Sequence, residues 1–528
     1  MARDSRWLIV FVIIISVIVT TSMANLQKQT DIATRVEDAL NIEEDDLKID
    51  WSHYQTTNIK LNSSIDIAKS GTYHLTGTIY DGHINIKLGE EGVARLILDN
   101  VTINSSSGPA INCYSGDNLV IELVGDNTII DGTDYNAKYD DDTSGAIFSK
   151  IDLYFTGDGT LELTGNHEDG IVSKDDLTFR SGTYNITVQD EAIRGRDSVH
   201  ITNGNFIIKS TAHAIESTND VDAGRGFILI ENGDFNIVAG GKGLKSTNST
   251  LIRDGNFTME TTDDAIHSDG YIGISGGTIN INSGDDAIHA NRELEVSNGT
   301  ITIAKTYEGL EAQKISIKDG NISIVASDDG INAGGGNDRS SINRSNPSPF
   351  NADEDCIVSI DGGQLYINSS GDGIDSNGWL YINGGNVIVD GPTDNGNGAL
   401  DAGMGIVMNG GNVVAIGAAG MAANLGKTSA INNISVYLDR FYPAGTKIEI
   451  KDTSENTILS HTSAKSFSHV AAGAPDFKLG NNYYLYIDDN YYASITISGI
   501  VTTSGNGYNL NNPATNNRNT NRSGSNSN

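Results

Sequence analysis

The sequence contains little cysteine and little proline. Its 528 residues include two cysteines, Cys113 and Cys356, and seven prolines, against 60 glycines. In the repeat described below, the two cysteines fall about nine coils apart, or roughly 40 Å, which is far beyond the reach of a disulfide. We therefore expect two free thiols, with Cys113 packed in the interior. Many glycines and few prolines are typical of a chain with many tight turns.

Positive charge is also scarce. Lysine and arginine together number 34 and the acidic residues 68, which gives a formal net charge of −34. Nucleic acid is excluded as a natural partner, because phosphate binding needs a basic surface. The same acidity keeps an exported protein soluble.

Long apolar runs are absent after the first 24 residues. Arg3 and Arg6 precede an apolar run from Trp7 to about Val19, and Ser22 and Ala24 form a small-x-small cleavage site. The run is short for a membrane span, so residues 1–24 are predicted to be a signal peptide, with an uncleaved N-terminal anchor as the alternative. Either interpretation places the protein outside the cell, secreted or anchored at its surface, with the membrane contacted solely through such an anchor. Residues 25–57 are acidic and weakly amphipathic, and we expect a helical segment that caps the first coil.

Helical spacing is absent as well, and a repeat of about 22 residues takes its place. Residues 262–268 read TDDAIHS and residues 284–290 read GDDAIHA, each followed by two short alternating strands around a glycine turn. A fixed period of this size indicates a solenoid. The alternation buries one face of each strand, so we predict an all-β chain folded as a right-handed parallel β-helix. Each repeat contains one apolar anchor residue: Ile171, Ile193, Ile215, Leu244, Ile266, Ile288, Leu310, Ile331, Ile374 and Leu400.

The repeat also sets the predicted domain boundaries. The β-helix is expected over residues 58–429, with a polar insertion at 126–143 and a longer one at about 334–354. Near residue 430 the 22-residue repeat ends. Residues 430–500 are predicted to form a small antiparallel β module that covers the C-terminal end of the β-helix. Residues 501–528 are rich in asparagine and serine and are expected to be a disordered tail.

Stacking of coils turns sequence columns into ladders in space. The position two before each anchor is acidic in much of the chain, with successive carboxylates about 5 Å apart. Two such charges repel by roughly 3 kcal/mol at an effective dielectric constant of 20, so a compensating cation is expected. Clusters of oxygen ligands favour Ca²⁺. The alternative is that each aspartate serves its turn by accepting backbone N–H bonds. The predicted calcium ligands are Asp263, Asp264, Asp285, Asp286, Asp328 and Asp329.

The position after each anchor forms a second column, which the alternation predicts to face outward. It makes His267 and His289 neighbours, and either a transition-metal pair or plain surface polarity is compatible with that arrangement. Aromatic side chains are also predicted to face outward, Tyr154 early in the chain and Tyr366, Trp379 and Tyr381 later. Flat rings stack on the C–H faces of sugars, so the predicted carbohydrate-binding residues are Trp379, Tyr381, Tyr366, His267 and His289.

Three segments resemble the β-helix family of carbohydrate-binding domain-containing proteins: residues 145–177, 192–204 and TDDAIHSDGYIGISGGTINI at 262–281. The resemblance extends over about 55–500. It implies a pectate-lyase-like fold, bound calcium and an extracellular, non-catalytic binder of cellulose or polygalacturonate-type acidic sugars. The sequence departs from the family's acidic pair at His213, Lys242 and Tyr307–Glu308, so the resemblance does not assign calcium to those coils.

The expected function is therefore a secreted or cell-surface polysaccharide-binding protein that contains calcium and acts as a monomer. The sequence shows no nucleophile elbow, no zinc-type Cys/His spacing and no phosphate-binding loop. Two alternatives remain. A pectate-lyase-like enzyme would need Ca²⁺ and a basic residue, for which Arg194, Lys242 and Lys245 are nearest to the acidic columns. A cell-surface adhesin or structural protein is the other alternative.

Overall fold

The computed structural model describes residues 40, 49–135, 139, 143–334 and 352–505. The predicted signal segment at 1–24, most of the predicted helical segment, most of the 334–354 insertion and the tail from residue 506 lie outside the described residues. Within them the chain is all-β, with one turn of 3₁₀ helix at Trp51–His53. No helix in this part of the chain has both the length and the apolar character needed to cross a membrane.

Forty-five strands make up the described chain. The first eight are β1 (Thr56–Leu61), β2 (Ile65–Ile67), β3 (Gly71–Ile79), β4 (Ile84–Lys87), β5 (Val93–Asn104), β6 (Ile111–Ser115), β7 (Asn118–Val124) and β8 (Asp126–Ile130). The next fifteen are β9 (Gly145–Ser149), β10 (Asp152–Gly157), β11 (Thr160–Gly165), β12 (Asp169–Ser173), β13 (Asp176–Phe179), β14 (Thr183–Val188), β15 (Ile193–Gly195), β16 (Ser198–Ile201), β17 (Asn205–Ser210), β18 (Ile215–Ser217), β19 (Phe227–Ile230), β20 (Asp234–Ala239), β21 (Leu244–Ser246), β22 (Ser249–Ile252) and β23 (Asn256–Thr261). They are followed by β24 (Ile266–Ser268), β25 (Tyr271–Ile274), β26 (Thr278–Asn282), β27 (Ile288–Val296), β28 (Thr300–Thr306), β29 (Leu310–Ile317), β30 (Asn321–Ala326), β31 (Ile331–Ala333), β32 (Ile357–Ile360), β33 (Gln364–Ser369), β34 (Ile374–Ser376), β35 (Trp379–Ile382), β36 (Asn386–Asp390), β37 (Gly405–Met408) and β38 (Asn412–Gly417). The last seven are β39 (Asn433–Tyr442), β40 (Lys447–Lys451), β41 (Thr457–Thr462), β42 (Phe467–Gly473), β43 (Asn482–Ile487), β44 (Asn490–Thr496) and β45 (Val501–Ser504).

Strands β1–β38 form three parallel columns, because each strand pairs with its counterpart one repeat away. The anchor column includes β12, β15, β18, β21 and β24, in which Ile171, Ile193, Ile215, Leu244 and Ile266 lie in register. The second column includes β13, β16, β19, β22 and β25. The third includes β14, β17, β20, β23 and β26. The large, mostly parallel sheet is consistent with a β-helix or solenoid, and we call it the parallel stack.

The interior of the parallel stack is apolar and continuous. One cluster of buried side chains extends from Leu61 to Ala471, and the ten predicted anchors are all buried in it. Fully burying an isoleucine or leucine side chain contributes about 1.5–3 kcal/mol relative to exposure, so each anchor stabilises its own coil by about that amount. Both cysteines are buried free thiols, as predicted, with Cys113 in the interior.

Stacked rings line one corner of the interior. The ring centroids of Tyr184 and Phe206 are 4.9 Å apart, those of Phe206 and Phe235 are 5.0 Å apart, and those of Phe235 and Phe257 are 4.5 Å apart. The turn just before each ring needs glycine. Gly255, for example, has φ of 122°, and a Cβ there would lie 2.9 Å from the carbonyl oxygen of the preceding turn. Glycine therefore recurs at this position of the repeat for two reasons, the backbone conformation of the turn and the close approach of neighbouring coils.

Leu40 is a described residue of the predicted N-terminal helical segment. It packs against Phe227, Leu229 and Leu251 on the outside of the second column, in the middle of the stack. The outward apolar side chains of β19 and β22 explain the location, because they would otherwise be exposed to water. The role of the segment as a cap on the first coil stays a prediction.

The pairing changes direction near residue 430, where the 22-residue rhythm ends. Strand β42 is antiparallel to β38 and to β39, while β40, β41, β43 and β44 form a separate four-stranded antiparallel sheet. Asp390 at the end of β36 joins the two parts. Its carboxylate accepts hydrogen bonds from the Tyr366 hydroxyl at 2.9 Å and from the Ala464 N–H at 3.1 Å, and it lies 2.8 Å from Nε2 of His461.

Candidate functional site

Two polar ladders run along the anchor column. The acidic ladder consists of the residues two before the nine anchors from Ile171 to Ile374: Asp169, Glu191, His213, Lys242, Asp264, Asp286, Glu308, Asp329 and Asp372. The facing ladder consists of the residues that follow the eight anchors from Ile193 to Ile374: Arg194, Glu216, Lys245, His267, His289, Glu311, Asn332 and Asp375. Arg194 contacts Asp169, the Asn332 amide donates to Glu308 at 2.8 Å, and Nδ1 of His267 lies 2.8 Å from Asp264. The two ladders therefore form one polar strip.

Five of the eight residues of the facing ladder are buried, so their predicted exposure at the surface is wrong. His267 is 6% exposed and His289 is fully buried, and Glu216, Glu311 and Asn332 are buried as well. Side chains of the acidic ladder lie against this column, as the contacts of His267 with Asp264 and of Asn332 with Glu308 show. The alternation along one strand predicts which side a residue faces. It does not predict that side chains of the acidic ladder cover that residue. Neither His267 nor His289 presents a surface to a polysaccharide.

One oxygen of each aspartate in the acidic ladder has a structural role. Oδ1 of Asp264 accepts the N–H of Asp286 at 3.1 Å, and Oδ1 of Asp286 accepts the N–H of Glu308 at 3.2 Å. Asp329 does the same for the N–H of Asp372 at 2.6 Å. One oxygen of each of these aspartates therefore accepts a backbone N–H bond, as the alternative interpretation predicted. The second oxygen is available for the facing ladder.

The first half of the strip carries its own cations. Arg194 contacts Asp169, and Nζ of Lys245 lies 2.8 Å from Glu216. Lys242, which replaces an acidic residue in the ladder, places Nζ 2.9 Å from Asp263 and 2.6 Å from Asp264. Protein ammonium and guanidinium groups thus neutralise these carboxylates, including one of the predicted calcium pairs.

The second half of the strip lacks such compensation. No lysine or arginine among the described residues pairs with Asp286, Glu308, Asp329 or Asp372. Burial raises the pKa of Asp286 to about 8, and the charges of Asp264 and Asp285 contribute. Burial likewise raises the pKa of Asp329 to about 8, with repulsion from neighbouring carboxylates. The pKa of Glu308 is raised well above its usual range for the same reasons. A cluster with this electrostatic character binds protons or cations.

The carboxylates around Asp329 are a group that could hold a hard cation. The carboxylates of Asp328, Asp372 and Asp375 are close enough to raise its pKa. A Cβ at Gly371 would lie 2.2–2.4 Å from the carboxylate oxygens of Asp329 and Asp328, so glycine is what lets the next coil approach them. Four carboxylates and no nitrogen ligand contribute to this group, which is the donor set that Ca²⁺ prefers.

A separate aromatic pair lies on β35. Trp379 and Tyr381 have ring centroids 5.8 Å apart and planes inclined by 21°, and both side chains are half-buried. Gly405 is the register partner of Trp379 on the neighbouring strand β37, so no side chain stands beside the indole on that side. Tyr366 is also half-buried, but its hydroxyl is bonded to Asp390. We call Trp379 and Tyr381 the aromatic pair.

Tyr154 faces away from the core cluster that contains Leu153 and Phe155, as predicted, but it is covered and marks a cleft. The side chain is 4% exposed and lies at the floor of a cavity of about 230 Å³ on the second column. Residues from the N-terminal segment cover it, including Trp51. Arg95 pairs with Glu122 and lies 6.0 Å from the Trp51 ring centroid. Sequence inspection missed this cleft because nothing local connects its lining residues: Ile49, Trp51, Arg95, Val120, Glu122, Tyr154, Phe155, Thr156 and Arg180.

Comparison with known proteins agrees with the sequence resemblance. A protein of Acetivibrio thermocellus described as a carbohydrate-binding domain-containing protein is 33% identical over 129 residues, which is 24% of this chain and 44% of that protein. The chain thus spans less than half the length of this relative. A solved structure described as a polysaccharide lyase-like protein from C. thermocellum, a gadolinium derivative, has 24% identity and a TM-score of 0.38, over 47% of this chain and 96% of that one. The family model for carbohydrate-binding domain-containing proteins matches residues 61–309 and 252–344. Because these matches cover more than half of the 528 residues, the chain belongs to the family of carbohydrate-binding domain-containing proteins.

Proposed function

We propose that this protein is a secreted or cell-surface binder of polysaccharides, non-catalytic and calcium-containing, built on a right-handed parallel β-helix. The aromatic pair is the observation that carries the proposal. Two nearly parallel rings lie on one strand of a parallel sheet, and each ring could stack on the C–H face of one sugar residue. Family membership supports a carbohydrate as the partner.

The absence of free basic groups in the strip supports a binding role over a lyase. The three basic residues nearest the acidic ladder, Arg194, Lys242 and Lys245, all form ion pairs with carboxylates. A base for proton abstraction must reach the substrate in its unprotonated form. An ammonium group held by two carboxylates is stabilised in the protonated form, which is the opposite of what such a base needs.

The calcium proposal is centred on Asp328 and Asp329, with Asp372 from the next coil. These carboxylates are clustered, partly buried and without a lysine or arginine partner among the described residues. At the 263–264 pair, Lys242 already supplies the positive charge. Bound calcium would neutralise the cluster and let an acidic glycan approach a protein of net charge −34. Asp328, Asp329 and Asp372 would hold the ion through their free oxygens.

The aromatic pair is tested by retention on immobilised polysaccharides. Replacing both Trp379 and Tyr381 with alanine is expected to weaken binding about 30-fold, because aromatic contact residues are typically worth about 2 kcal/mol or more. The measurement is affinity electrophoresis in gels containing polygalacturonate or soluble cellulose derivatives. Tyr80→Ala is the matched control, since Tyr80 is 82% exposed and remote in sequence. Equal retention of the double variant and the wild type would exclude the aromatic pair as the binding surface.

The calcium site is tested by chelation. Treatment with a chelator is expected to lower the melting temperature and to reduce retention on polygalacturonate about 10-fold, because buried carboxylates then repel one another and the acidic glycan. Asp329→Asn is expected to be insensitive to added calcium. Asp158→Asn is the control, since it removes the same charge from an exposed turn. Retention that is unchanged by the chelator would contradict calcium bridging and leave sugar stacking as the mode of binding.

A further inference from the structure

His289 is the polar side chain least explained by the fold. It is fully buried in the parallel stack. Neither of its ring nitrogens makes a hydrogen bond within the part of the chain that the structure describes. Native interiors satisfy nearly all buried polar atoms, so an imidazole with two unbonded nitrogens calls for a ligand.

Three carboxylate oxygens surround Nδ1 of His289. Oδ2 of Asp286 lies at 3.4 Å, Oε2 of Glu311 at 3.5 Å and Oδ2 of Asp264 at 3.8 Å. These separations are too long for charge-assisted hydrogen bonds, which are about 2.7–2.9 Å. They agree instead with the edge of a tetrahedron around a metal ion, which is roughly 3.4 Å when the metal–ligand bonds are about 2.1 Å.

The donor set indicates the class of metal. Nδ1 of His289 and one oxygen each of Asp286 and Glu311 lie within 4.8 Å of one another, and all three residues are buried. Calcium takes six to eight oxygen ligands at longer distances, whereas imidazole with carboxylates suits zinc and neighbouring transition metals. The nitrogen donor and the short spacing therefore distinguish this cluster from the all-oxygen group around Asp329.

The histidine and the aspartate next to this cluster have other partners. His267 meets the His289 ring edge-on at 4.9 Å, but its own nitrogens are engaged, at 2.8 Å from Asp264 and 3.2 Å from Asp269. Asp264 is also bonded to Lys242 at 2.6 Å. Asp264 is thus balanced by two groups of the protein and lies at the fourth corner of the cluster. No lysine or arginine among the described residues pairs with Asp286, so a bound ion would compensate its charge.

We propose that His289, Asp286 and Glu311 form a buried site for a divalent transition metal of the zinc class, with Asp264 at its fourth corner. The ligands come from consecutive coils, since Glu311 is the register partner of His289. The ion therefore links coils of the parallel stack from inside. Because every ligand is buried, the site has a structural role and no open position for a substrate. The assignment is independent of carbohydrate binding.

The test uses the full chain, unfolded in chelator and refolded with Zn²⁺, Ca²⁺ or neither. After gel filtration, the wild type refolded with zinc is expected to retain one zinc per chain by mass spectrometry of the metals. Its melting temperature should exceed that of the metal-free sample. With Co²⁺ as a spectroscopic probe, the wild type should develop the intense visible absorption of four-coordinate cobalt with nitrogen and oxygen ligands.

Two variants and two controls make the result decisive. His289→Asn and the nearly isosteric Glu311→Gln are expected to weaken zinc binding at least about 10-fold. His53→Asn should have no effect, because His53 is exposed. Asp329→Asn should keep zinc and lose the response to calcium, which separates this inference from the proposed function. Wild-type protein that retains no zinc, or whose cobalt form shows only weak six-coordinate absorption, would overturn the proposal.

Discussion

Replacing Lys242 with methionine is expected to lower the free energy of unfolding by about 3–5 kcal/mol. The side chain is 9% exposed and its ammonium group contacts both Asp263 and Asp264. Methionine retains most of the packing volume but removes the charge, which leaves two adjacent carboxylates without their nearest cation. Urea unfolding followed by circular dichroism measures the change.

Two further variants separate charge from packing. Lys242→Met combined with Asp264→Asn should recover a large part of the lost stability, because the uncompensated charge is removed as well. Lys209→Met should be nearly neutral, since Lys209 is exposed on β17. Calcium should stabilise Lys242→Met more than it stabilises the wild type, because the variant creates a new unpaired acidic pair. If the single variant unfolds at the wild-type urea concentration, Lys242 does not neutralise this pair in solution.

His469 is expected to make the C-terminal region sensitive to acid. Burial in β42 lowers the pKa of His469 from 6.5 to about 4. The native protein therefore binds fewer protons than the unfolded chain between these two values. The stability linked to His469 is present above pH 6.5 and is lost as the pH falls through 4. A shift of this size corresponds to about 3 kcal/mol.

The experiment compares the wild type with His469→Gln. Glutamine can keep a hydrogen bond to the Ser435 hydroxyl, which lies 2.8 Å from Nε2 of His469, but it does not titrate. The raised pKa values of Asp286 and Asp329 change stability with pH in the opposite direction, so the informative quantity is the difference between the two proteins. That difference should grow by about 3 kcal/mol between pH 7 and pH 4 in urea unfolding. Parallel pH profiles would show that His469 is not responsible.

The repeat of apolar anchors predicted the architecture well. Ile266 and Ile288, 22 residues apart, lie in register on adjacent strands, and both are fully buried. An apolar residue at a fixed period has one favourable location, the interior, so its position follows from the sequence. The all-β class and the large parallel sheet follow from these anchors. The handedness of the coil does not follow from strand register and remains part of the proposal.

The polar strip could be predicted only in part. The sequence located the acidic ladder, since aspartates recur two residues before the anchors. It did not reveal that the neighbouring coils supply cations to some aspartates and not to others. Lys242 reads as a departure from the acidic pattern, yet it lies against the acidic pair of the next coil. The burial of His289 depends on side chains from three coils, and no single coil contains that information.

The cleft near Trp51 shows a second limit of sequence reasoning. Trp51, Arg95 and Tyr154 are far apart in the chain and belong to different coils. Their proximity depends on how the N-terminal segment lies along the second column. The 22-residue repeat does not predict the path of the N-terminal segment, because that segment precedes the first repeat.

The antiparallel pairing of β42 with β38 occupies the C-terminal strand edge of the third column. A parallel stack that ended at an open strand would offer unpaired N–H and C=O groups, and a second copy could add its own coils to that edge in register. Growth of this kind leads to fibres. Strand β42 runs against the direction of the stack and pairs with Val413 to Gly417. At this column the C-terminal edge is thus occupied from within the same chain, and we expect that no second copy adds a strand there.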